Sequence, residues 1–312
     1  MAADNPLPEL RRRAPGLFLR GFAMGTADVI PGVSGGTIAL ITGIYDELIR
    51  TIAGIDARLP RLLLGGRLIE LLAHVNAGFL VPLLCGIGAA VVSLARVITF
   101  LLEHHPVPLW GFLTGLILAS ALVVSRRVQG WSVSGFLLLV VGTAIGYGVT
   151  LLWPLETGIE WYKFLLSGGI ASVAMILPGI SGSFLLVIMG KYGQVMRAVH
   201  EFDPGVLITF GIGFAGGILA FSRVLKYLLA RYHSLTMTLL VGLMVGSVRR
   251  VWPFKRYGED GEATDAATQY YDCVLPEHLD GDTMITLLLM MVGMAAVLLL
   301  ERLGGKAGGK ST

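Results

Sequence analysis

Six segments of the chain are apolar over enough residues to cross a membrane as single helices. They span residues 79–102, 108–125, 132–153, 204–229, 235–251 and 283–301. An α-helix rises about 1.5 Å per residue, so about 20 apolar residues cross the roughly 30 Å of hydrocarbon in a bilayer. The pattern therefore predicts six transmembrane helices in an all-α polytopic membrane protein.

Two further apolar stretches, residues 17–50 and 162–196, have a different pattern. Each is interrupted near its middle by a Pro-Gly pair, Pro31-Gly32 in the first and Pro178-Gly179 in the second. The interruption leaves arms of roughly 10 to 15 residues, which are too short to span the hydrocarbon alone. We therefore expect each stretch to enter the membrane and return to the same side as a re-entrant helical hairpin.

The two halves of the chain are similar in sequence. The segment 30–36 (IPGVSGG) matches 177–183 (LPGISGS) at an offset of 147 residues. A second offset of 127 residues aligns Arg96 with Arg223 and Gly115 with Gly242. The 20-residue difference corresponds to an amphipathic insertion over residues 56–77. We interpret the chain as a duplication, with repeat 1 over residues 15–153 and repeat 2 over residues 162–301.

Charge placement predicts the orientation of the chain. Cytoplasmic loops carry an excess of Arg and Lys, and re-entrant hairpins place most of the basic segments on one side. The segments assigned to the cytoplasm are the tail 1–14, the insertion 56–77, Arg126-Arg127, Arg231 and the tail 302–312. Each repeat then has three spans, an odd number, so we expect two inverted repeats. The prediction is a multi-pass protein of the cytoplasmic (inner) membrane with both termini in the cytoplasm.

One group of basic residues does not fit this orientation. The loop 252–282 is acidic and is predicted to face outward, yet basic residues lie at or next to its start. They are Arg249, Arg250, Lys255 and Arg256. The sequence assigns them no role beyond anchoring at the membrane surface.

Composition agrees with a membrane protein. Hydrophobic residues make up 54% of the 312 residues, charged residues only 14%, and the mean hydropathy is +0.75. Soluble domains carry about 25% charged residues, so composition excludes a soluble enzyme and a nucleic-acid-binding protein. The 42 glycines are typical of closely packed or broken helices in lipid.

Inverted repeats with broken helices are typical of transporters, whose binding site lies near the midplane between the repeats. The arm that returns from each break presents its N-terminus, where free N–H groups favour an anion. The expected substrate-binding residues are Gly32, Ser34, Gly35, Gly36 and Thr37 in the first hairpin and Gly179, Ser181, Gly182 and Ser183 in the second. The alternative is that the breaks serve packing and the hydroxyl groups only cap the helices.

Two helix ends supply about one positive charge, whereas a phosphate monoester carries about −1.5 to −2 near neutral pH. Arg96 and Arg223, which match between the repeats, are the candidate cations for the remainder. Both lie in the last third of their spans. The alternative is therefore that their side chains extend to the membrane surface.

Asp28 is the one carboxylate in the apolar part of either hairpin, and the second repeat has Met175 at the matching position. It lies near the C-terminal end of the entering arm, where a negative charge is disfavoured. Burial disfavours the ionised form as well. Asp28 is the candidate proton-coupling residue, and a purely structural partner is the alternative. No pattern indicates catalytic residues, a metal site or a cofactor.

The motif 27–37 (ADVIPGVSGGT), followed by 43–49 (GIYDELI), resembles the signature of a prokaryotic membrane family. This family, formerly of unknown function, is associated with polyprenyl-phosphate transport. The segment 177–183 also fits, and the resemblance covers about residues 15–301. It implies a flippase that moves undecaprenyl phosphate from the outer to the inner leaflet, which recycles the carrier lipid for peptidoglycan and cell-envelope synthesis.

The resemblance implies a polyprenyl-phosphate lipid and the bilayer as partners, and no nucleic acid. Proton or sodium coupling and the oligomeric state stay open. Two other functions also stay open: a small-anion channel or transporter that uses helix N-termini, and a membrane enzyme acting on prenyl phosphates. A lateral apolar opening between helices would favour the lipid, whereas a closed aqueous funnel would favour the ion.

Overall fold

The computed structural model describes residues 7–30, 33–56, 58–152, 157–257, 271–276 and 278–308. The helices of the first half are α1 (Leu7–Val29), α2 (Gly35–Ile41), α3 (Tyr45–Gly54), α4 (Arg58–Leu64), α5 (Leu68–His74), α6 (Ala77–His104), α7 (Pro106–Ser125) and α8 (Val133–Leu151). Those of the second half are α9 (Trp161–Ile176), α10 (Gly182–Ile188), α11 (Tyr192–Glu201), α12 (Pro204–Arg231), α13 (His233–Val251) and α14 (Gly281–Gly308).

Six helices among the described residues are long and apolar enough to cross a membrane: α6, α7, α8, α12, α13 and α14. They correspond to the six predicted spans, and the all-α polytopic fold is confirmed. Their starts follow ordinary helix chemistry. At α12, for example, the Asp203 side chain accepts the N–H groups of Gly205 and Val206, and Pro204 occupies the first turn.

The order of helices is the same in both halves. The hairpin helices α1, α2 and α3 correspond to α9, α10 and α11, and the spans α6, α7 and α8 correspond to α12, α13 and α14. The short helices α4 and α5 form the predicted insertion and have no counterpart among the described residues of the second half. The inverted orientation of the two halves stays a prediction.

Glycines allow the main helix pairs to pack closely. In matching pairs, α1 packs on α6 and α9 on α12, while α7 packs on α14 and α13 on α8. A Cβ atom on any of four glycines, one at each pair, would run into a backbone carbonyl of the partner helix: Gly21, Gly168, Gly115 and Gly242. This packing of small residues accounts for part of the high glycine content.

Two features of the hairpins differ from the expectation. Helix α1 begins at Leu7 rather than at residue 17, and each returning arm is split into two helices. The split follows Gly43 and Gly190, whose φ angles are +75° and +63°. A left-handed glycine ends a helix and redirects the chain, so α2 and α10 are only seven residues long each.

A small antiparallel sheet, which the hydropathy pattern did not predict, lies in the segment between α13 and α14. Strand β1 (Lys255–Tyr257) pairs with β2 (Tyr271–Cys273), with Lys255 opposite Cys273. The sheet lies next to the C-terminal end of α13, because the Trp252 indole donates a hydrogen bond to the Val274 carbonyl at 2.9 Å.

Candidate functional site

The returning arm of the first hairpin meets the second helix break inside the protein. The Ser34 hydroxyl donates a hydrogen bond to the Met175 carbonyl at 3.1 Å, and the Tyr45 hydroxyl donates to the Ile176 carbonyl at 3.1 Å. These carbonyls lie at the end of α9, where no further helical turn can satisfy them. The first hairpin therefore satisfies polar backbone groups that the second break leaves unpaired.

The contact is reciprocal and close. The Gly179 N–H donates to the Thr37 hydroxyl at 3.1 Å. A Cβ atom on Gly36 would lie 2.5 Å from the Ile176 carbonyl oxygen. Gly179 has a φ of +88°, and a Cβ atom there would lie 2.8 Å from the Met244 Cα. Only glycine fits at these two positions without strain.

The Asp28 carboxylate caps the first returning helix. The Gly35 N–H donates to Asp28 Oδ1 at 2.7 Å, and Asp28 Oδ2 is buried without a hydrogen-bond partner. A Cβ atom on Gly35 would lie 2.5 Å from Asp28 Oδ2. The carboxylate thus lies not only near the C-terminal end of α1, as the sequence indicates, but also at the N-terminus of α2, where a negative charge is favoured.

The other donors of the first tip are also used within the protein. The Gly36 N–H donates to the Ser34 hydroxyl at 3.2 Å, and the Thr37 N–H donates to the Ser34 carbonyl at 3.0 Å. An anion can bind these groups only if they exchange partners. Gly32, another predicted binding residue, and Pro31 lie outside the described residues.

The second tip is capped by a serine at the matching position. The Phe184 N–H donates to the Ser181 hydroxyl at 3.4 Å, and the Ser181 and Ser183 hydroxyls lie 2.9 Å apart. A Cβ atom on Gly182 would lie 2.6 Å from the Ala171 carbonyl oxygen. Ser34 and Ser181 are thus helix caps in this structure, and substrate contact by either tip stays a prediction.

The structure does not bring the two predicted cations to the tips. Arg223 is exposed, and its guanidinium donates to the Ile55 carbonyl at 2.7 Å, just beyond α3. Arg96 is exposed and has no hydrogen bond or ion pair with any described residue. Their role in substrate binding stays a prediction.

Two other arginines, which the sequence did not place at the hairpins, contact the returning helices. The half-buried Arg127 donates to the Leu40 and Ile41 carbonyls at 3.0 and 3.1 Å, at the C-terminal end of α2. The Arg250 guanidinium carbon lies 4.3 Å from the centre of the Phe184 ring of α10. The sequence contained one indication that Arg250 is unusual, because this basic residue lies on the predicted outer side.

An apolar groove runs between α9 and α12 and ends at the second tip. Its volume is about 770 Å³, and it includes Leu177 and Ile180 of the break together with Leu185 of α10. The rest of its lining is glycine, alanine and larger apolar residues, among them Leu165, Val173, Ile212, Phe221 and Val224. The groove therefore offers an apolar surface that reaches the second helix break.

Comparisons with known proteins identify the family of the chain. The model of a family described as undecaprenyl phosphate translocase-like matches residues 24–268. A polyprenyl-phosphate transporter of Vibrio cholerae is 40% identical over 297 residues, which cover 93% of this chain and 96% of that protein. One of Staphylococcus aureus is 34% identical over 255 residues, which cover 76% of this chain and 85% of that protein. No solved structure matches the chain. The chain therefore belongs to the undecaprenyl phosphate translocase-like family.

Proposed function

We propose that this protein translocates polyprenyl phosphate, with undecaprenyl phosphate as the substrate, from the outer to the inner leaflet of the cytoplasmic membrane. The observation that carries the proposal is the apolar groove that ends at the second helix break. An amphiphilic lipid needs an apolar surface for its tail next to a polar site for its head, and the two features adjoin here. Two relatives named polyprenyl-phosphate transporters support it.

In this proposal the phosphate lies between the two tips while the prenyl chain stays in the groove and the surrounding lipid. The hairpins expose the tips alternately to the two leaflets. The expected contacts are those of Gly32, Ser34, Gly35, Gly36 and Thr37 in the first hairpin and of Gly179, Ser181, Gly182 and Ser183 in the second. Arg96 and Arg223 lie away from the tips and would meet the phosphate nearer the surface of the protein.

Asp28 would link transport to protons. Its carboxylate accepts the Gly35 N–H, one of the donors that a phosphate oxygen would use. Protonation removes the charge and weakens this charge-assisted hydrogen bond. Proton uptake by Asp28 therefore frees the first tip for phosphate, and loss of the proton favours release.

The small-anion alternative calls for a closed aqueous funnel, whereas the groove beside the second tip is almost wholly apolar. This difference favours a lipid over a free ion. The proposal includes no chemical reaction on the lipid, because both relatives are named as transporters.

The experiment measures lipid translocation by the purified protein in liposomes. Fluorescent undecaprenyl phosphate is placed in the outer leaflet, and an impermeant quencher reports how much has moved inward. The protein should raise the rate for the phosphate but not for the uncharged prenol. Equal rates with and without protein would refute the proposal.

The groove offers a matched pair of variants. Gly216 lines the groove and Gly211 lies outside it on the same helix, and a Cβ atom on either meets nothing within 4 Å. Gly216→Trp should fill the groove and slow translocation about tenfold or more, by excluding a chain whose burial is worth about 0.8 kcal/mol per CH₂. Gly211→Trp should translocate the lipid at a rate close to that of the parent.

A further inference from the structure

Arg250 is a buried basic residue beside the second hairpin. It lies in the last turn of α13 and only 7% of its surface is exposed. Side chains of a helix lean toward its N-terminus, so Arg250 reaches back from the end of α13 toward the interior. Its guanidinium packs on Phe184 in the first turn of α10.

Among the described residues, the charge of Arg250 faces an aromatic ring, that of Phe184, but no anion and no hydrogen-bond acceptor. Its guanidinium donates no hydrogen bond and forms no ion pair with a described residue, and its Nε atom is buried without a partner. Arginine does not lose its proton in proteins, and an unpaired buried charge is costly. The neighbouring Arg249 differs, because it donates to the Thr150 and Tyr271 carbonyls at 3.2 and 2.7 Å.

The surroundings of Arg250 suit a doubly charged anion. The Phe184 N–H donates to the Ser181 hydroxyl, and the Ser181 and Ser183 hydroxyls contact each other. These two hydroxyl groups therefore belong to the same helical turn as Phe184, whose ring contacts the Arg250 guanidinium. A second basic group is close, since the Lys255 side-chain nitrogen donates to the Arg250 carbonyl at 2.8 Å. Phosphate accepts hydrogen bonds from a guanidinium in pairs and can accept further bonds from hydroxyl groups.

We propose that Arg250, with the Ser181 and Ser183 hydroxyls, binds a phosphate monoester at the second hairpin. The site uses a cation other than Arg96 and Arg223, and it does not depend on the charge of a helix end. It rests on the proposed function only in assuming that the bound phosphate is the headgroup of a prenyl lipid. A free phosphate would present the same chemistry.

The test compares ligand binding by the full-length purified protein in detergent. The probes are farnesyl phosphate, inorganic phosphate and the uncharged farnesol. Arg250→Gln should weaken farnesyl phosphate binding about tenfold or more, the worth of one hydrogen-bonded charge, with little change for farnesol. Arg250→Lys should retain part of the affinity. Arg249→Gln is the matched control, because it removes the same charge one residue away and should change affinity less than about threefold.

Melting temperature separates binding from a structural role. Phosphate should raise the melting temperature of the parent but not that of Arg250→Gln. A role in packing alone would lower the melting temperature of the variant and leave its phosphate affinity unchanged, which would overturn the proposal. Ser183→Ala provides a second measure if Arg250→Gln does not fold, and unchanged phosphate affinity in that variant would also count against the site.

The outcomes distinguish this site from the transport proposal. If the parent binds inorganic phosphate through Arg250 but not farnesyl phosphate, the site stands and the lipid function fails. If the parent binds and moves prenyl phosphate and Arg250→Gln does so equally well, the lipid function stands and the site is refuted. If the parent binds neither phosphate probe, both are refuted.

Discussion

The Asp28 carboxylate lies between two helix ends of opposite partial charge. The carbonyl end of α1 repels it, whereas the N–H end of α2 attracts it through the 2.7 Å hydrogen bond from Gly35. One of its two oxygens is buried without a partner. When ionised, this side chain is an internal anion at the first tip, and in the proposed mechanism it would compete there with a phosphate that approaches Gly35.

Replacing Asp28 by asparagine tests this competition. The amide side chain has nearly the same shape, and its carbonyl oxygen can still accept the Gly35 N–H, but it carries no charge and takes up no proton. Asp28→Asn should bind prenyl phosphate at least as well as the parent, while its transport should lose its dependence on an imposed pH gradient. Binding and gradient-driven transport are measured on the same preparation.

Asp46→Asn, in α3 of the same hairpin, is the control for removing a carboxylate and should respond to the gradient like the parent. A purely structural role for Asp28 predicts a different result, a poorly folded Asp28→Asn protein. If the folded variant responds to the gradient as the parent does, Asp28 is not the coupling residue.

At the scale of single elements, the two returning helices are too short to hold their positions alone. Helices α2 and α10 have seven residues each, well below the length at which an isolated helix is stable in water. Their ends are held by nearby side chains, Asp28 and Arg127 for α2 and Ser181 for α10. The geometry of the site therefore depends on residues that need not touch the substrate.

The contribution of Arg127 to holding α2 in position can be measured. Its two hydrogen bonds to the Leu40 and Ile41 carbonyls place a positive charge at the C-terminal end of α2, where it is favourable. Arg127→Ala should lower the free energy of unfolding by about 1–3 kcal/mol and slow transport as well. The control is Arg126→Ala, since Arg126 is exposed and should change stability by less than about 0.5 kcal/mol. Equal effects in both variants would rule out this role for Arg127.

Lys255, in the segment that follows α13, should make the stability of the protein depend on pH. Burial, with a smaller contribution from the charge of Arg250, lowers the pKa of Lys255 from 10.5 to about 7. Between these two values the unfolded chain holds a proton that the folded protein lacks. Stability should therefore rise with pH across this window, by at most about 1.4 kcal/mol per pH unit.

Melting temperatures at pH 7 and pH 9 measure this effect. The parent should gain stability between them relative to Lys255→Met, which has no proton to lose. Lys226→Met, at an exposed position of α12, should keep the pH dependence of the parent. A parent and a Lys255→Met variant with the same pH profile would show that Lys255 does not titrate in this window.

For the whole molecule, hydropathy predicts which segments are helices in the membrane because every backbone N–H and C=O must be satisfied within its own helix there. That rule identifies α6, α7 and α8 and their counterparts. It does not predict the split between α2 and α3, which depends on the left-handed backbone of Gly43. Nor does it predict that the first hairpin touches the second break, because a contact such as that of Thr37 with Gly179 joins segments far apart in sequence.

Part of the candidate site could be predicted from sequence, namely the part that depends on local motifs and not on contacts between distant segments. The glycines and serines of the breaks are visible as a repeated motif, and so is the lone carboxylate of Asp28. Arg250 was not identified, because its contact with Phe184 joins residues of two helices that are far apart in sequence. Its position on the predicted outer side indicated only that it differed from the other basic residues.

The inverted arrangement of the two halves can be tested by chemical labelling from each side of the membrane. Leu64 lies in the insertion that follows the first hairpin, and Ile159 lies just before the second hairpin. Both side chains are exposed, at 91% and 80%, so a cysteine at either position should react readily. Helices α6, α7 and α8 separate the two positions, and an odd number of crossings puts them on opposite sides.

In a protein with Cys85 and Cys273 replaced by Ser, Leu64→Cys should react with an impermeant maleimide only from the cytoplasmic side. Ile159→Cys should react only from the outer side. Opposite labelling means that the hairpins enter from opposite faces, so the touching hairpins can expose one phosphate site to each leaflet in turn. Labelling of both cysteines from the same side would mean that the hairpins enter from one face, and the inverted-repeat transport scheme would then be wrong.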